Sequence, residues 1–314
     1  MKNFALIGAA GYIAPRHMQA IRDTGNNLVM AQDPNDSVGI IDSYFPDAQF
    51  FTEFERFDRA VDKVRRSQSA DKVDYVSICS PNYLHDAHCR FALRSDADAI
   101  CEKPIVLNPW NLDGLREIEI DTGRSIHTIL QLRLHPAIRA LKEKIEAAPK
   151  DTKHEVDLTY ITSRGNWYSH SWKAELGKSG GIATNIGVHF FDMLHYVFGA
   201  LQMNVVHLHD DRHAAGYLEY EHARVRWYMS IDLADVPEEA RNRNQRTWRS
   251  ITVDGDEIEF SGGFTDLHTL SYQSILAGES FGLEANRTAI EAVAHIRNAP
   301  VQAPGDYAHP FLKA

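Results

Sequence analysis

A lysine stands where a predicted strand ends, in the tripeptide Glu102-Lys103-Pro104. The apolar run before it predicts a buried parallel strand, and ligands of open α/β folds bind at the carboxyl edge of such strands. A lysine there can donate a hydrogen bond and stabilise negative charge that develops on a substrate oxygen. It can equally be an ordinary solvated residue, and the spacing alone leaves both interpretations open.

A second polar group lies on a predicted helix that carries Asn185, His189 and Asp192. Their spacing, i, i+4 and i+7, puts the three side chains on one helix face. The histidine can take a proton from a hydroxyl near neutral pH, and the aspartate is expected to orient its ring. The alternative is a buried polar network that fixes the helix. No further pair of His or Cys at ligand spacing indicates a metal.

The elements that must position these residues follow one pattern over the first 130 or so residues. Short runs that are apolar throughout alternate with stretches of helical spacing, which predicts a doubly wound parallel sheet of the α/β class. The predicted strands are residues 4–7, 28–31, 75–78, 97–101 and 126–130, and the predicted helices are residues 12–23, 52–66, 82–93 and 109–121.

After about residue 150 the pattern changes to closely spaced strands joined by polar turns. Such spacing predicts an open, mostly antiparallel sheet. The predicted strands are residues 154–162, 203–209, 214–221, 223–231, 249–253 and 256–260, and the predicted helices are residues 183–198, 264–277 and 283–297. We expect the last two helices to close the second domain.

The turn between the first strand and the first helix is rich in glycine and alanine. From Gly8 to Ala14 it reads G-x-x-G-x-x-A, a variant of the dinucleotide fingerprint. Glycine allows main chain to approach a pyrophosphate, and the helix N-terminus offers N–H groups. Asp33 ends the second strand, where a carboxylate can bind ribose hydroxyls, and no Arg or Lys directly follows it. The pattern favours NAD over NADP, although a structural turn without a ligand is the alternative.

Between the two predicted domains lies a window that is basic and aromatic within an acidic chain. Its residues are Arg164, Asn166, Trp167, Tyr168, Trp172, Lys173 and Lys178. Aromatic faces suit a sugar ring, and cations suit a carboxylate or phosphate, so the window is expected to bind an anionic ligand that contains a sugar. A loop with exposed side chains fits the composition equally well.

Composition sets the broader limits. The 314 residues, of which 44% are hydrophobic and 24% charged, suffice for two packed domains. The net charge of −10 disfavours nucleic acid as a partner, and the three cysteines form no CxxC pair. No apolar stretch reaches the ~20 residues that a membrane helix needs, and no opening segment resembles a signal peptide. We therefore expect a cytoplasmic protein with neither membrane nor nucleic-acid partners.

These residues, in this order, resemble the glucose-fructose oxidoreductase and inositol dehydrogenase family, also written Gfo/Idh/MocA. The matching segments are Gly8–His17, Ser80–His85, Glu102–Pro104 and Gly180–Asp192. The resemblance implies an N-terminal NAD-binding Rossmann domain, residues 1–130, and a C-terminal α+β domain for substrate binding and oligomerisation, residues 131–314. The free face of the second sheet commonly forms a subunit interface in this family, so a homo-tetramer or homo-dimer is expected.

Within the family, the chain looks most similar to bacterial enzymes that oxidise the 3-hydroxyl of UDP-N-acetylglucosaminuronic acid with NAD. Residues 161–168 and 263–268 carry that likeness. The resemblance implies a 3-keto nucleotide sugar used for lipopolysaccharide O-antigen, and it makes 2-oxoglutarate a candidate oxidant for bound NADH. The alternatives are an inositol or free-sugar dehydrogenase of the same family and a non-catalytic regulator that binds NAD.

The resemblance also assigns predicted roles to residues. Lys103 and His189 are the predicted catalytic residues. The predicted cofactor-binding residues are Gly8, Gly11, Tyr12, Ile13, Asp33, Ser80, Asn82, His85, Glu102, Lys103, Gln131 and Trp172. The predicted substrate-binding residues are Lys103, Arg164, Asn166, Lys173, Lys178, Asn185, His189 and His268. Two features depart from the family pattern: the glycine loop has one extra residue, and Asn185 stands where many members have aspartate.

Overall fold

The computed structural model of the chain describes residues 1–67, 70–258 and 266–312. The described residues fall into two compact units. The first unit comprises Met1–Gln131 and Thr265–Arg287, and the second comprises Leu132–Phe264 and Thr288–Ala314. Each unit has a sheet of its own.

In the described part of the first unit, six parallel strands form one sheet in the order β3-β2-β1-β4-β5-β6. The strands are β1 (Asn3–Ile7), β2 (Asn27–Gln32), β3 (Gln49–Phe51), β4 (Tyr75–Ile78), β5 (Asp98–Cys101) and β6 (Ile126–Thr128). This is the strand order of a Rossmann fold, with the switch point between β1 and β4. Phe4, Leu6 and Val76 are fully buried, which explains why these strands are apolar throughout. The predicted doubly wound parallel sheet is confirmed.

In the second unit, the described strands form a mixed sheet in the order β12-β11-β7-β10-β9-β8. The strands are β7 (His154–Thr162), β8 (Leu201–His209), β9 (His213–Tyr220), β10 (Ala223–Ser230), β11 (Thr247–Val253) and β12 (Asp256–Glu257). β7 and β10 pair in parallel, and the other pairs are antiparallel. The predicted, mostly antiparallel sheet is confirmed. Residues 259–260 of the last predicted strand lie outside the described residues.

The described residues also form ten α-helices. They are α1 (Ala14–Asp23), α2 (Phe54–Ser67), α3 (His85–Arg94), α4 (Pro109–Thr122), α5 (Pro136–Glu146), α6 (Leu176–Ser179), α7 (Val188–Phe198), α8 (Glu238–Arg241), α9 (Leu267–Leu276) and α10 (Arg287–Asn298). Local sequence explains several boundaries. α4 has proline in its first turn and ends at Gly123, whose φ of 65° is the left-handed conformation that glycine favours.

One helix belongs to a different unit than the sequence predicted. The pattern at residues 264–277 was expected to close the second domain, and residues 264–265 lie outside the described residues. The observed helix, α9, instead packs against α1 in the first unit. Its Tyr272 and Ile275 lie in one buried cluster with Met18 and Ile21 of α1. Apolar periodicity identified the helix but carried no information about which core it joins.

The C-terminal segment packs on the sheet of the second unit. Val301 bridges Val206 of β8, and Gln302 donates its main-chain N–H to the Val206 carbonyl at 2.8 Å. Further along, His309 lies 3.1 Å from the Thr159 hydroxyl of β7. Within the described ranges, no helix has the length and apolar character needed to cross a membrane.

Candidate active site

The turn after β1 forms a close-fitting main-chain cradle. Gly8 has a φ of +89°, and a Cβ at this position would lie 2.6 Å from main-chain atoms of Cys79 and Ser80. Glycine is needed because L side chains avoid this φ and because the end of β4 leaves no room. Gly11 donates its N–H to the Gly8 carbonyl at 3.0 Å, which closes the turn just before α1. The cradle brings main chain to the sheet edge, as binding of a pyrophosphate requires.

The N-terminus of α1 continues this cradle. Ile13 is the N-cap residue and provides no side-chain hydrogen bond to the first turn. Tyr12, at the crest of the turn, is 92% exposed. The main-chain N–H groups of Ala14 and Arg16 already donate within the turn, so α1 offers an anion mainly the partial positive charge of its N-terminus. The structure thus brings Gly8, Gly11, Tyr12 and Ile13 into one turn that fits the phosphates of NAD.

Asp33 lies at the end of β2, beside the same turn. Its Oδ2 accepts the N–H of Ala10 at 3.0 Å, and its Oδ1 accepts the N–H of Asn35 at 2.8 Å. These two hydrogen bonds fix the carboxylate while leaving lone pairs on both oxygens for ribose hydroxyls. The negative charge disfavours a 2′-phosphate at this position, which fits NAD better than NADP.

The loops after β4 and β5 are joined by His85. Its Nδ1 lies 2.7 Å from the Pro104 carbonyl, and its Nε2 lies 2.8 Å from the Ser80 carbonyl. Burial lowers the pKa of His85. A neutral ring has one N–H, so His85 donates to one of these two carbonyls and lies beside the other, and its predicted contact with the cofactor stays a prediction. Nearby Asn82 is buried in the 3₁₀ turn that leads into α3.

Glu102 lies in a buried polar cluster that the sequence did not predict. Its Oε1 is 2.9 Å from Nε2 of His17 and 2.9 Å from Nε2 of His268. The other ring nitrogen of His17, Nδ1, is 2.8 Å from the Tyr272 hydroxyl, which is 2.6 Å from the Ser77 hydroxyl. Burial acts to raise the pKa of Glu102, but hydrogen bonds from the two histidines outweigh it and hold that pKa well below its usual range. The cluster therefore contains a carboxylate.

His268 thus has a partner other than the charged ligand groups that the sequence suggested. It is 5% exposed, and its Nε2 is used by Glu102. The side-chain N and O atoms of His17, Glu102 and His268 lie within 4.8 Å of one another, a spacing that a metal ion could also use. Both imidazoles have the same carboxylate oxygen as acceptor, however, so hydrogen bonding accounts for the arrangement.

Two further residues of the first unit, Lys103 and Gln131, are predicted to bind the cofactor. Lys103 is half-buried, and its main-chain N–H lies 3.3 Å from Oε2 of Glu102. Gln131 begins a 3₁₀ turn at the end of the unit, and its side-chain oxygen is buried without a hydrogen-bond partner among the described residues. A buried acceptor of this kind calls for an explanation, and an N–H or O–H group of a bound ligand provides one.

In the second unit, the predicted helix at residues 183–198 is not one regular α-helix. Ala183–Gly187 forms a π-helical turn, and α7 begins only at Val188. Gly180 and Gly181 precede it, both with a φ of +81°. A π-turn is wider than an α-turn and often marks a functional site. The spacing of Asn185, His189 and Asp192 therefore does not place them on one α-helical face.

Asp192 does not orient His189, so that expectation is wrong. Arg133 donates from Nε to Oδ2 of Asp192 at 3.0 Å and from Nη2 to Oδ1 at 2.6 Å. Burial raises the pKa of Asp192, and the guanidinium opposes this shift. The aspartate of the motif is therefore half of a buried ion pair that fixes α7. Its partner is far away in sequence, so spacing within the helix could not reveal it.

Asn185, in the π-turn, donates from Nδ2 to the Tyr168 hydroxyl at 2.9 Å. Burial raises the pKa of Tyr168, so the hydroxyl keeps its proton at neutral pH. Tyr168, Lys173, Gly181 and His209 contribute to the lining of a cavity of about 150 Å³ in this unit. Asp210 and Asp211 also line this cavity, so the Asn185 amide fixes a phenol beside a cavity that contains acidic as well as basic side chains.

His189 occupies the first turn of α7, directly after the π-turn. Its ring lies edge-on to Tyr160, with 6.1 Å between ring centroids, and 4.2 Å from the ring of Phe190. These aromatic neighbours fix the position of the imidazole, which is half-buried. A partly accessible imidazole on a rigid helix start suits proton transfer to a bound ligand.

The residues of the basic and aromatic window differ in their exposure and in their contacts. Arg164 and Asn166 are exposed after β7. The ammonium of Lys173 lies 4.1 Å above the ring of Trp172, and Lys178 in α6 forms an ion pair with Glu175 at 2.8 Å. Lys173 is thus the cation of this window that also lines the cavity with Tyr168.

Comparisons with known proteins agree with this architecture. Two sequence-family models match the chain. The model described as an oxidoreductase family with an NAD-binding Rossmann fold matches residues 2–129, and the model of the C-terminal alpha/beta domain of that family matches residues 152–238. The chain is 50% identical to the WlbA (WbpB) dehydrogenase from Thermus thermophilus, covering 99% of this chain and 100% of that one. The TM-scores are 0.95 for its complex with NAD and alpha-ketoglutarate and 0.94 for its complex with NAD and UDP-GlcNAcA.

More distant relatives share only part of the chain. The D-glucoside 3-dehydrogenase of Escherichia coli is 27% identical over 65% of this chain. This chain spans 56% of that relative's length and 42% of the length of the inositol 2-dehydrogenase of Rhizobium meliloti. The two family models match most of the chain, and the T. thermophilus dehydrogenase matches nearly all of it. The chain therefore belongs to the Gfo/Idh/MocA family of oxidoreductases, whose first domain is an NAD-binding Rossmann fold.

Proposed function

We propose that this protein oxidises the 3-hydroxyl of UDP-N-acetylglucosaminuronic acid to the 3-keto sugar with NAD. The observation that carries the proposal is the 50% identity, over 99% of this chain, to a dehydrogenase whose structure holds both NAD and UDP-GlcNAcA. The glycine cradle and the fixed carboxylate of Asp33 support NAD as the cofactor. Bound NAD would supply the acceptor for the hydride that leaves the sugar carbon.

Lys103 and His189 are the residues that we assign to the chemistry. His189 takes the proton of the reacting hydroxyl, while the ammonium of Lys103 stabilises the negative charge that develops on its oxygen. The hydride carries both electrons that the sugar loses, and the hydroxyl proton leaves without electrons to His189. The aromatic packing of His189 on Tyr160 and Phe190 supports a fixed imidazole in this role.

We assign substrate binding to the second unit, beyond the two catalytic residues. Arg164, Asn166 and Lys178 remain candidates for polar contacts, and Lys173 is favoured because it lines the cavity with Tyr168. Asn185 acts through Tyr168 in this scheme. Trp172, beneath the ammonium of Lys173, remains a candidate contact of the cofactor. His268 is the least favoured of the predicted substrate residues because Glu102 uses its Nε2.

The proposals for the oxidant, the pathway and the assembly rest on the same similarity to the T. thermophilus dehydrogenase. The T. thermophilus dehydrogenase also binds alpha-ketoglutarate together with NAD, which supports 2-oxoglutarate as the oxidant that regenerates NAD. The product would serve lipopolysaccharide O-antigen synthesis in the cytoplasm, and a homo-tetramer or homo-dimer is the proposed assembly. The proposed oxidation of the sugar does not depend on any of these assignments.

A second candidate is a dehydrogenase of free sugars or inositol. The relationship to the E. coli D-glucoside 3-dehydrogenase, at 27% identity, favours it as the alternative. It shares the NAD site but has no need for a uridine diphosphate group.

Thermal shift and turnover separate the two candidates. With NAD present, UDP should raise the unfolding temperature only if the protein binds nucleotide sugars, because a ligand stabilises the folded state that binds it. Turnover of UDP-N-acetylglucosaminuronic acid, methyl glucoside and inositol is then followed through reduced nicotinamide. We expect stabilisation by UDP and reduction with the nucleotide sugar alone. Turnover of methyl glucoside or inositol without any effect of UDP would overturn the proposal.

A further inference from the structure

The cluster around Glu102 is a deeply buried group of titratable residues in the first unit. His17 and Tyr272 are 0% exposed, and Glu102 and His268 are 7% and 5% exposed. Polar groups this deep are kept only when hydrogen bonds compensate for the loss of water. The bonds in this cluster join three parts of the first unit: α1 after the glycine cradle, the residue before Lys103, and α9.

The hydrogen bonds that link Tyr272, His17 and Glu102 determine which atoms carry the protons. Burial raises the pKa of Tyr272 well above its usual range, so the phenol keeps its proton. Because the carboxylate of Glu102 can only accept from Nε2 of His17, Nδ1 of that ring is the acceptor for the Tyr272 proton. Burial also lowers the pKa of His17, so its ring is neutral and its one N–H is on Nε2. Which ring nitrogen carries the proton is set by the bond that the other one makes. Nε2 of His17 therefore donates to Oε1 of Glu102.

The two oxygens of Glu102 then have different tasks. Oε1 accepts from both histidines, whereas Oε2 lies 3.3 Å from the main-chain N–H of Lys103. The main-chain N–H of Glu102 itself donates to the Ile78 carbonyl at 3.0 Å and so extends the pairing of β4 and β5. The main chain on both sides of Glu102 is thereby anchored, and the lysine follows directly from that anchor.

We propose that Glu102, held by His17 and His268, is a positioning residue for Lys103, and that Tyr272 acts in the same device by fixing the tautomer of His17. The inference rests on the proposed function, because it takes Lys103 as the group that stabilises the substrate oxygen. Small displacements of such a group are costly, since a shift of about 1 Å can lower a rate by roughly 100-fold. Glu102 itself need not touch substrate or cofactor.

The variant Glu102→Gln tests this directly. The glutamine oxygen can still accept from both histidines, but its NH₂ group then faces the main-chain N–H of Lys103, and two donors oppose each other. We expect kcat to fall roughly 10- to 100-fold, normalised to NADH-binding sites, while the affinity for NADH stays within about twofold. A role in folding alone would instead reduce the number of binding sites and leave the turnover of each site unchanged.

Glu119→Gln is the matched control. Glu119 is a half-buried carboxylate of the same unit that accepts the main-chain N–H of Ile126 at 2.6 Å, away from Lys103. This variant should keep kcat and NADH affinity. Equal losses of kcat in the Glu119 and Glu102 variants would overturn the inference, because any replaced carboxylate would then have the same effect.

Tyr272→Phe and Lys103→Met complete the experiment. Tyr272→Phe keeps the ring and removes the donor to His17, so kcat should fall about fivefold with NADH affinity retained, and this variant decides the matter if Glu102→Gln does not fold. If Lys103→Met is inactive but every folded variant of Glu102 and Tyr272 keeps the kcat of the unaltered protein, only the inference is overturned. Full turnover by Lys103→Met, or none by the unaltered protein, would overturn the proposed function and the inference together.

Discussion

Arg133 donates to both carboxylate oxygens of Asp192, at 3.0 and 2.6 Å, and the two side chains are 10% and 2% exposed. The pair joins the 3₁₀ turn at the start of the second unit to α7, the helix that carries His189. Removing one member leaves a buried charge without a counter-charge, which typically costs about 3–5 kcal/mol. The aspartate of this motif is therefore assigned to the stability of α7 rather than to proton transfer.

Asp192→Asn should lower the free energy of unfolding by about 3 kcal/mol or more, as measured by urea titration. Arg133→Met should have a similar effect, and the double variant should lose less than the sum of the two. Glu55→Gln, which breaks the exposed pair with Arg59, is the control and should cost under about 1 kcal/mol. A loss from Asp192→Asn as small as that of the control would contradict the assignment.

Asn185→Asp tests the amide that donates to Tyr168. A carboxylate cannot donate, so the Tyr168 proton would turn toward residue 185, and a negative charge would be added where we propose an anionic sugar to bind. We expect the KM for UDP-N-acetylglucosaminuronic acid to rise about tenfold, with NADH affinity unchanged. Tyr168→Phe removes the hydroxyl without adding charge and should raise KM less. Equal KM values for Asn185→Asp and the unaltered protein would refute the role of the amide.

Gly8→Ala tests the cofactor cradle. The added Cβ would lie 2.6 Å from main-chain atoms of Cys79 and Ser80, at a φ of +89°. NADH affinity, measured by fluorescence titration, should fall at least about tenfold because the turn must open to relieve the clash. Gly123→Ala introduces a Cβ at a φ of +65° with nothing within 4 Å, so it should cost some stability but leave NADH affinity unchanged. Loss of affinity in both variants would attribute the effect to backbone strain instead.

His309 makes the second unit sensitive to acid. Burial lowers its pKa from 6.5 to about 4. Because the pKa of His309 is lower in the folded state, the unfolded chain takes up a proton on His309 at a higher pH than the folded protein does. Stability is therefore complete above pH 6.5 and is lost as the pH falls toward about 4, by roughly 1.4 kcal/mol per pH unit for one proton. Nearby Asp157 opposes the shift and Arg226 favours it.

His309→Gln retains a polar partner for the Thr159 hydroxyl but does not titrate in this range. Its free energy of unfolding should decline less between pH 6.5 and pH 4 than that of the unaltered protein, by the contribution of one proton. Urea titrations across this range measure the difference. Parallel pH profiles for the two proteins would show that His309 is not a source of the acid sensitivity.

Much of the fold could be predicted because hydrophobic patterning reports burial directly. The strand predicted at residues 154–162 is observed as β7, His154–Thr162. β3 was missed because three residues, Gln49–Phe51, are too few to show a pattern. α5 was also missed, although Pro136 stands in its first turn and His135 accepts the N–H of Ala137. The proline at the first helical position is the sequence signal that could have identified it.

The candidate site was less predictable because its key partners are distant in sequence. His17 and Glu102 are separated by 85 positions and Glu102 and His268 by 166, so no local spacing links them. The π-turn at Ala183–Gly187 broke the helical periodicity on which the placement of Asn185 beside His189 depended. Residues 263–265, part of the segment that suggested the substrate, lie outside the described residues.

The most direct test of the central claim follows the hydrogen on carbon 3 of the sugar. UDP-N-acetylglucosaminuronic acid deuterated at that carbon is incubated with the protein and NAD, and the nicotinamide and the sugar are analysed by mass spectrometry. The account predicts deuterium in the reduced nicotinamide, a 3-keto sugar without it, and loss of both products in Lys103→Met and in His189→Asn. Deuterium that stays in the sugar would contradict it.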